Sequence, residues 1–409
     1  MTAGIAWPDP EPSRRGAMHA DHHAWPFLDQ AHADLARAVA EWVDASPLGP
    51  VGADVDVDTV CRQWVRALGS AGFLRHCIPA SEGGVRDALD SRSLCVLRET
   101  LAYRDGLADF TFAMQGLGSA PITLAGSPAQ RRQWLARVGR GEAIAAFALS
   151  EPEAGSDVAA LATRAMRRGD GWVLDGCKTW ISNGGIADFY VVFARTGAAG
   201  TRGISAFVVP ADNPGLMVAE RIEVMAPHPL ARLALDACYL PGDALIGAEG
   251  EGFKLAMRTL DIFRASVGAA ALGFGRRALD LAVGHACNRP MFGATLADKD
   301  LAIASIGDMA TRIDAAALLV YRAAWLADTR GGRTTTVSAM AKLAATEGAQ
   351  AVIDAALQLH GGRGVRVGEP IEHLYREIRA LRIYEGATDV QRLIVGRNVL
   401  ARHREGEET

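Results

Sequence analysis

The stretch Arg382 to Arg392 reads RIYEGATDVQR and sets Glu385 between an Ile-Tyr pair and a Gly-Ala-Thr turn. A carboxylate in that setting has two readings. One is a helix cap ahead of VQRLIVGR, a role open to Thr388 and Asp389 as well. The other is a general base in a dry pocket, where burial penalises the charged form and brings the carboxyl closer to a weakly acidic C–H. Asp261 and Arg264 stand three residues apart in LDIFR, a spacing that suits an intrahelical ion pair or an arginine aimed at a phosphate. SEPEAGSD, Ser150 to Asp157, follows the strand-like run AAFAL and ends in Gly155 and Ser156, whose backbone a ligand can approach closely. The plain alternative is a surface turn. In TWISNGG, Thr179 to Gly185, side-chain alternation puts Trp180 and Ser182 on one strand face. An aromatic plane with a hydroxyl two residues on suits a flat heterocycle, and Trp180 in the core is the alternative.

Other signals carry less. GFGRRA, Gly273 to Ala278, imitates a dinucleotide fingerprint but lies inside a helical pattern with no strand before it. HGGRGVRVG, His360 to Gly368, lacks the third glycine at the required spacing. With no βαβ alternation, a nicotinamide-binding unit is not expected. Cys61, Cys77, Cys95, Cys177, Cys238 and Cys287 contain no C-x-x-C pair, so buried free thiols are expected rather than zinc or disulfides. His19, His22 and His23 lie in a Pro-rich N-terminal tail without the carboxylate or cysteine framework of a metal site.

The elements that must position these residues fall into blocks. After a loose tail over residues 1–25, helical periodicity runs through LARAVAEWV and SLCVLRETLAYRDGLADFTFAM, giving a helical domain over 26–143. Short β-prone runs punctuated by Gly, Asp and Pro then define a β domain over 144–248. Helical patterns return from Gly250, Gly252 and Phe253, giving a helical bundle over 249–409. The predicted class is therefore α+β and mainly α, with a β unit between two helical units. The 409 residues are ample for a large core, 49% are apolar, and the net charge of −4 argues against a polyanion-binding surface. No apolar run reaches the length of a membrane span and no signal peptide precedes the first helix, so a soluble cytoplasmic protein is expected.

Taken together, the stretches from about Phe27 to Arg397 resemble the acyl-CoA dehydrogenase family. ALSEPEAGSDVAA resembles its first signature, with GCKTWISNGG following at the usual distance. QLHGGRGVRVGEPIEHLYREIRALRIYEGATDVQRLIVGR resembles its second, with NRPMFG and EGEGFKLAM between them. The resemblance implies an N-terminal helical domain, a middle β-barrel or sandwich and a C-terminal four-helix bundle, assembled as a homotetramer, a dimer of dimers. It implies FAD between the β domain and the C-terminal helices. Phe147, Leu149, Ser150, Gly155, Ser156, Trp180, Ile181 and Ser182 would surround the flavin, with Ser182 near its N5. Arg289, Phe292, Gln358, Gly361 and Gly362 would hold the adenosine and pyrophosphate, partly across the subunit interface, and Thr388 and Asp389 complete the cofactor set. Ser156, Asp261, Arg264, Tyr384, Gly386 and Arg397 would meet the acyl-CoA, and Glu385 matches the catalytic base. The implied reaction takes the α proton of an acyl thioester onto Glu385 while hydride passes from the β carbon to flavin N5, giving the trans-2-enoyl thioester. Electron-transfer flavoprotein is the implied acceptor.

Four places depart from the family pattern. Ala387 replaces a Thr that contacts FAD, Asp389 replaces Gln or Glu, and Asp300 replaces a Gln beside the adenosine. The loop APHPLARL, Ala226 to Leu233, replaces a Leu-Gly-Ile-Arg-type segment at the substrate mouth. Some relatives carry the base on the earlier helix, where this chain has Phe263, so Glu385 has no acidic rival. The alternatives on this fold are an acyl-CoA oxidase, a flavin monooxygenase, a dehydrogenase of carrier-protein thioesters, and a DNA-protecting relative. The last is disfavoured by the acidic C-terminus. Chain length is not fixed: Phe110, Phe112 and Met114 are bulky and Ala113, Gly116 and Gly118 small in the segment expected to form the pocket floor.

Overall fold

A computed structural model describes residues 21–48, 56–330 and 333–407. Five helices come first: α1 (Gln30–Asp44), α2 (Val57–Ser70), α3 (Ser91–Arg104), α4 (Gly106–Ala125) and α5 (Pro128–Gly139). Asp90, Asp105 and Ser127 cap α3, α4 and α5 by accepting from first-turn amides, which is why each helix starts where it does. Eight strands follow: β1 (Ala145–Ala148), β2 (Arg164–Arg168), β3 (Gly171–Ser182), β4 (Phe189–Arg195), β5 (Ile204–Pro210), β6 (Leu216–Arg221), β7 (Leu230–Leu240) and β8 (Leu245–Ile246). The long helices α6 (Gly252–Asn288), α7 (Asp300–Arg330) and α8 (Thr335–His360) then pack with α9 (Pro370–Leu381) and α10 (Thr388–Glu407).

The strands form one hydrogen-bonded path, β6-β7-β3-β2-β4-β5-β8, with β1 added parallel to β4. Period-two alternation gives this sheet two apolar faces. Tyr190, Val192 and Ala194 of β4 join the core containing α2 and α4, while Phe189, Val191 and Phe193 join the core containing α5 and the start of α6. Helix α4 is buried from Gly106 to Ile122, so it is the axle between the sheet and the C-terminal helices. Its small residues allow that fit. A Cβ on Gly116 would lie 2.6 Å from the Phe263 ring, and one on Gly118 would lie 2.7 Å from Ala145 Cβ.

GFGRRA lies in the middle of α6. A side chain at Gly273 would collide with the Glu99 carbonyl of α3, so this glycine serves helix packing. The six cysteines are free; Cys61, Cys77, Cys95 and Cys238 are buried as expected, whereas Cys287 is exposed. The expected tail is partly corrected. Residues 1–20, with His19, lie outside the described residues, but Asp21–Ala24 form a 3-10 turn. There His22 is buried, 3.3 Å from Glu99, which also binds Arg276 and the Tyr321 hydroxyl. His22 is thus a core histidine, and no metal-binding cluster exists among the described residues.

Candidate active site

Glu385 sits in the turn between α9 and α10 with φ 52°, followed by Gly386 with φ 94°. A left-handed residue other than glycine is strained, so surrounding contacts must hold it. They come mainly from α8. Lys342, 1% exposed, donates from Nζ to the Tyr384 carbonyl at 2.6 Å and to the Gly386 carbonyl, the two residues flanking Glu385. Gln391 Nε2 donates to the same Gly386 carbonyl at 2.8 Å, and a Cβ at 386 would collide with that amide. Glu347 closes the turn's ends by accepting from Arg382 Nε at 2.7 Å and from Thr388 Oγ1 at 2.7 Å.

The Glu385 carboxylate itself is left free. Its Oε2 is shut from solvent and accepts no hydrogen bond, which removes the helix-cap reading. Burial pushes its carboxyl above the usual carboxylate range; Arg98, Lys342 and Arg264 pull the other way, and Asp109 adds to the rise. Those four groups arrive from α3, α8, α6 and α4 respectively, so the base lies where both helical domains meet. Arg98 is not free to neutralise it: its Nε and Nη2 donate to Asp109 at 2.8 and 2.9 Å, and Nη1 donates to Ser266 Oγ. Arg264 donates to Asp261 at 2.5 Å, the intrahelical pair that the spacing allowed, and Asp261 accepts from Thr335 at 2.7 Å. Arg264 Nε remains buried and unbonded.

The two predicted flavin segments meet at the sheet. Thr179 N donates to the Ser150 carbonyl at 3.0 Å, and buried Lys178 donates to the Leu149 carbonyl at 3.1 Å and to Glu151 at 2.7 Å. Glu151 in turn accepts from Ala162 N and Thr163 N, so the SEPEAGSD turn is pinned from both sides. Leu149 and Ile181 are buried, Phe147, Ser150 and Ser182 partly so, and Gly155 and Ser156 are exposed with open space beside Gly155. One strand expectation needs correction. The β3–β7 register shifts between Lys178 and Ile181, and Trp180 takes φ 58°, so Trp180 and Ser182 are not related by simple alternation. Trp180 is also 59% exposed, which rules out the core alternative.

The segments expected to hold the adenosine meet at one end of the bundle. His285 of α6 stacks on His360 of α8 with ring centroids 4.4 Å apart, bringing Arg289 and Phe292 toward Gln358, Gly361 and Gly362. All five of those residues are exposed, Phe292 by 89%. Thr388 is buried against Glu347, whereas Asp389 is exposed and accepts from Arg392 at 2.7 Å. Arg397 stands exposed on α10.

Backbone strain marks the same places. Among the described residues, five non-glycine residues have positive φ: Trp180, Asn183, Phe292 and Glu385, all in or beside the predicted site, and Ala237. Two large exposed aromatic side chains on strained backbone, next to glycines with open space, fit a flat cofactor with a pyrophosphate tail. Sequence reasoning missed Lys342 and Lys178, whose partners are distant in the chain, and Arg98, Asp109 and Gln391, whose partners are nearer but carry no motif. The one available signal was a lone Lys in the apolar pattern SAMAKLAA.

Comparison with known proteins agrees with this geometry. The acyl-CoA dehydrogenase N-terminal, middle and C-terminal domain profiles match residues 29–142, 146–238 and 250–400. The human mitochondrial short-chain specific acyl-CoA dehydrogenase is 36% identical over 384 residues, covering 92% of each chain. Butyryl-CoA dehydrogenase from Megasphaera elsdenii superposes with a TM-score of 0.84 at 30% identity, covering 91% of this chain and 99% of that one. A glutaryl-CoA dehydrogenase from Mycobacterium smegmatis, solved in complex with FADH2, gives 0.82 at 27% identity, covering 91% and 95%. The chain belongs to the acyl-CoA dehydrogenase family.

Proposed function

We propose that this oxidoreductase of the CH–CH type removes the α and β hydrogens of a short acyl-CoA thioester, with FAD as cofactor and Glu385 as the base. The observation that carries the reading is the free, buried Oε2 of Glu385 at the meeting point of four helices. Its raised carboxyl is a better match to a weakly acidic C–H than an exposed glutamate. Gly386 brings no side chain to the turn, and Arg264, with Nε unbonded, is available to an anionic portion of the substrate. Ser150, Gly155, Trp180, Ile181 and Ser182 would hold the flavin, and Arg289, Phe292, Gln358, Gly361 and Gly362 the adenosine end. FAD, when bound, supplies the two-electron acceptance that loss of the β hydrogen requires.

A short chain is favoured by the bulk around α4. Phe112 and Phe263 are fully buried, and Phe110 stacks on His228 with centroids 4.4 Å apart. The named short-chain and butyryl-CoA relatives point the same way. A homotetramer is supported by large apolar side chains left exposed on α7 and α10, including Leu301, Ile303, Leu393, Val399 and Leu400. In this reading electron-transfer flavoprotein is the acceptor; oxygen uptake without an added acceptor would favour an oxidase. No helix among the described residues is long and apolar enough to cross a membrane. Anaerobic bleaching of the flavin by a panel of acyl-CoAs, with sedimentation for the assembly, tests the assignment.

A further inference from the structure

We infer that Lys342 is a positioning residue for proton transfer: by gripping the carbonyls of Tyr384 and Gly386, it holds Glu385 in its left-handed turn and aims the Glu385 N–H at the substrate side. The inference rests on Glu385 as base. Tyr384 C=O and Glu385 N–H belong to one planar trans peptide and point in opposite directions. Fixing that carbonyl on the α8 side at 2.6 Å therefore fixes the amide hydrogen on the other. The Glu385 N–H makes no hydrogen bond to another described residue, so it is available as a donor where negative charge develops on a thioester oxygen. A cation on the carbonyl also polarises the peptide and strengthens the N–H as a donor. The same ammonium binds the next carbonyl but one, so both ends of the strained pair are held by one group. Gln391 supports only the second of them.

The electrostatic setting is consistent with a grip that depends on charge. Glu385 and Arg264 face Lys342; Arg264 is paired with Asp261, while Arg98 from α3 and Asp109 from α4 face Glu385, and Glu377 from α9 faces Tyr384. Burial pulls the Lys342 ammonium down to about 8 against the opposing pull of Glu385. The grip should therefore weaken in mildly alkaline solution.

The test is solvent-deuterium wash-in at the α carbon of a 3-thia-acyl-CoA bound to the FAD-loaded enzyme. Sulfur in place of the β carbon blocks oxidation, so the rate reads proton transfer alone. Wild type should exchange and lose rate as pH rises through about 8. Lys342→Met should exchange at least about tenfold more slowly at neutral pH, because both the turn and the amide lose their fixed orientation. Lys342→Gln, which keeps an amide donor, should recover part of the rate. Lys342→Arg, which stays protonated, should lose the alkaline fall. Wild-type rate and profile in Lys342→Met would overturn the inference. If that variant does not retain FAD, an unchanged alkaline fall in Lys342→Arg would overturn it. Glu385→Gln keeps the two readings apart: exchange that survives it overturns the base assignment, whereas silence there with a wild-type Lys342→Met overturns only the positioning role.

Discussion

His228 Nε2 lies 3.2 Å from Glu377 Oε2 inside the protein, tying the loop before β7 to the helix that leads into the Glu385 turn. His228 belongs to the APHPLARL segment that departs from the family pattern, and Phe110 covers its ring. Burial opposes ionisation of Glu377, but His228 and then His373 outweigh it and hold the carboxyl below the usual range. A carboxyl lowered on folding stabilises the protein above its unfolded value and loses that contribution as pH falls through the folded one. His228→Leu should therefore destabilise the protein by about 1–3 kcal/mol at neutral pH, because it leaves a buried polar group short of its partner. Urea denaturation should show the deficit shrinking in acid; equal stability at neutral pH would refute the tie.

Gly106 allows Glu377 to sit where it does. A Cβ there would lie 2.5 Å from the Glu377 carboxyl carbon, and the carboxylate is closed in by His228. Gly106→Ala should destabilise by about 1–3 kcal/mol through overpacking, despite the better helix propensity of alanine. A melting temperature equal to wild type would show that Glu377 can retreat.

The base position should be costly to the fold. Glu385 is raised on folding, so its favourable contribution exists below its unfolded value and is lost as pH rises through the folded one. At neutral pH the charged form is a liability, and Glu385→Gln should melt higher than wild type. That gain should disappear in acid, where both side chains are neutral. Scanning calorimetry at two pH values checks the sign.

Trp180 is exposed on a strained bulge, a placement that suits contact with a flat ligand. Trp180→Ala should weaken FAD binding by about two- to tenfold, the scale of about 0.5–1.5 kcal/mol for one offset-stacked or edge-to-face aromatic pair. Flavin release on dilution measures this. Unchanged retention would remove Trp180 from the cofactor site.

The helical, β, helical order was legible because period 3.6 and period 2 alternate in long blocks. Glu385, Ser150, Trp180 and Arg264 could be singled out as candidates because each sits in a short local motif. Lys342, Arg98 and Asp109 were not, since a buried charge looks the same in sequence as a solvated one until its partner is in place. The pairing of Arg98 with Asp109 lies across a helix break, and that of Lys342 with Tyr384 spans 42 residues. Chain alternation also misled at Trp180, because a bulge leaves no composition signal. The floor segment could be sorted only by packing, which assigns Gly116 and Gly118 to Phe263 and β1.

The central claim is that Glu385 takes the α proton of an acyl-CoA. Anaerobic titration of the FAD-loaded enzyme with butyryl-CoA, following the flavin absorbance in wild type and Glu385→Gln, tests it most directly. Rapid bleaching in wild type is expected, with a loss of roughly 10²–10⁴-fold in the variant, the range for removal of a general base. Bleaching at the wild-type rate in Glu385→Gln, or none by any acyl thioester in wild type, would contradict the account.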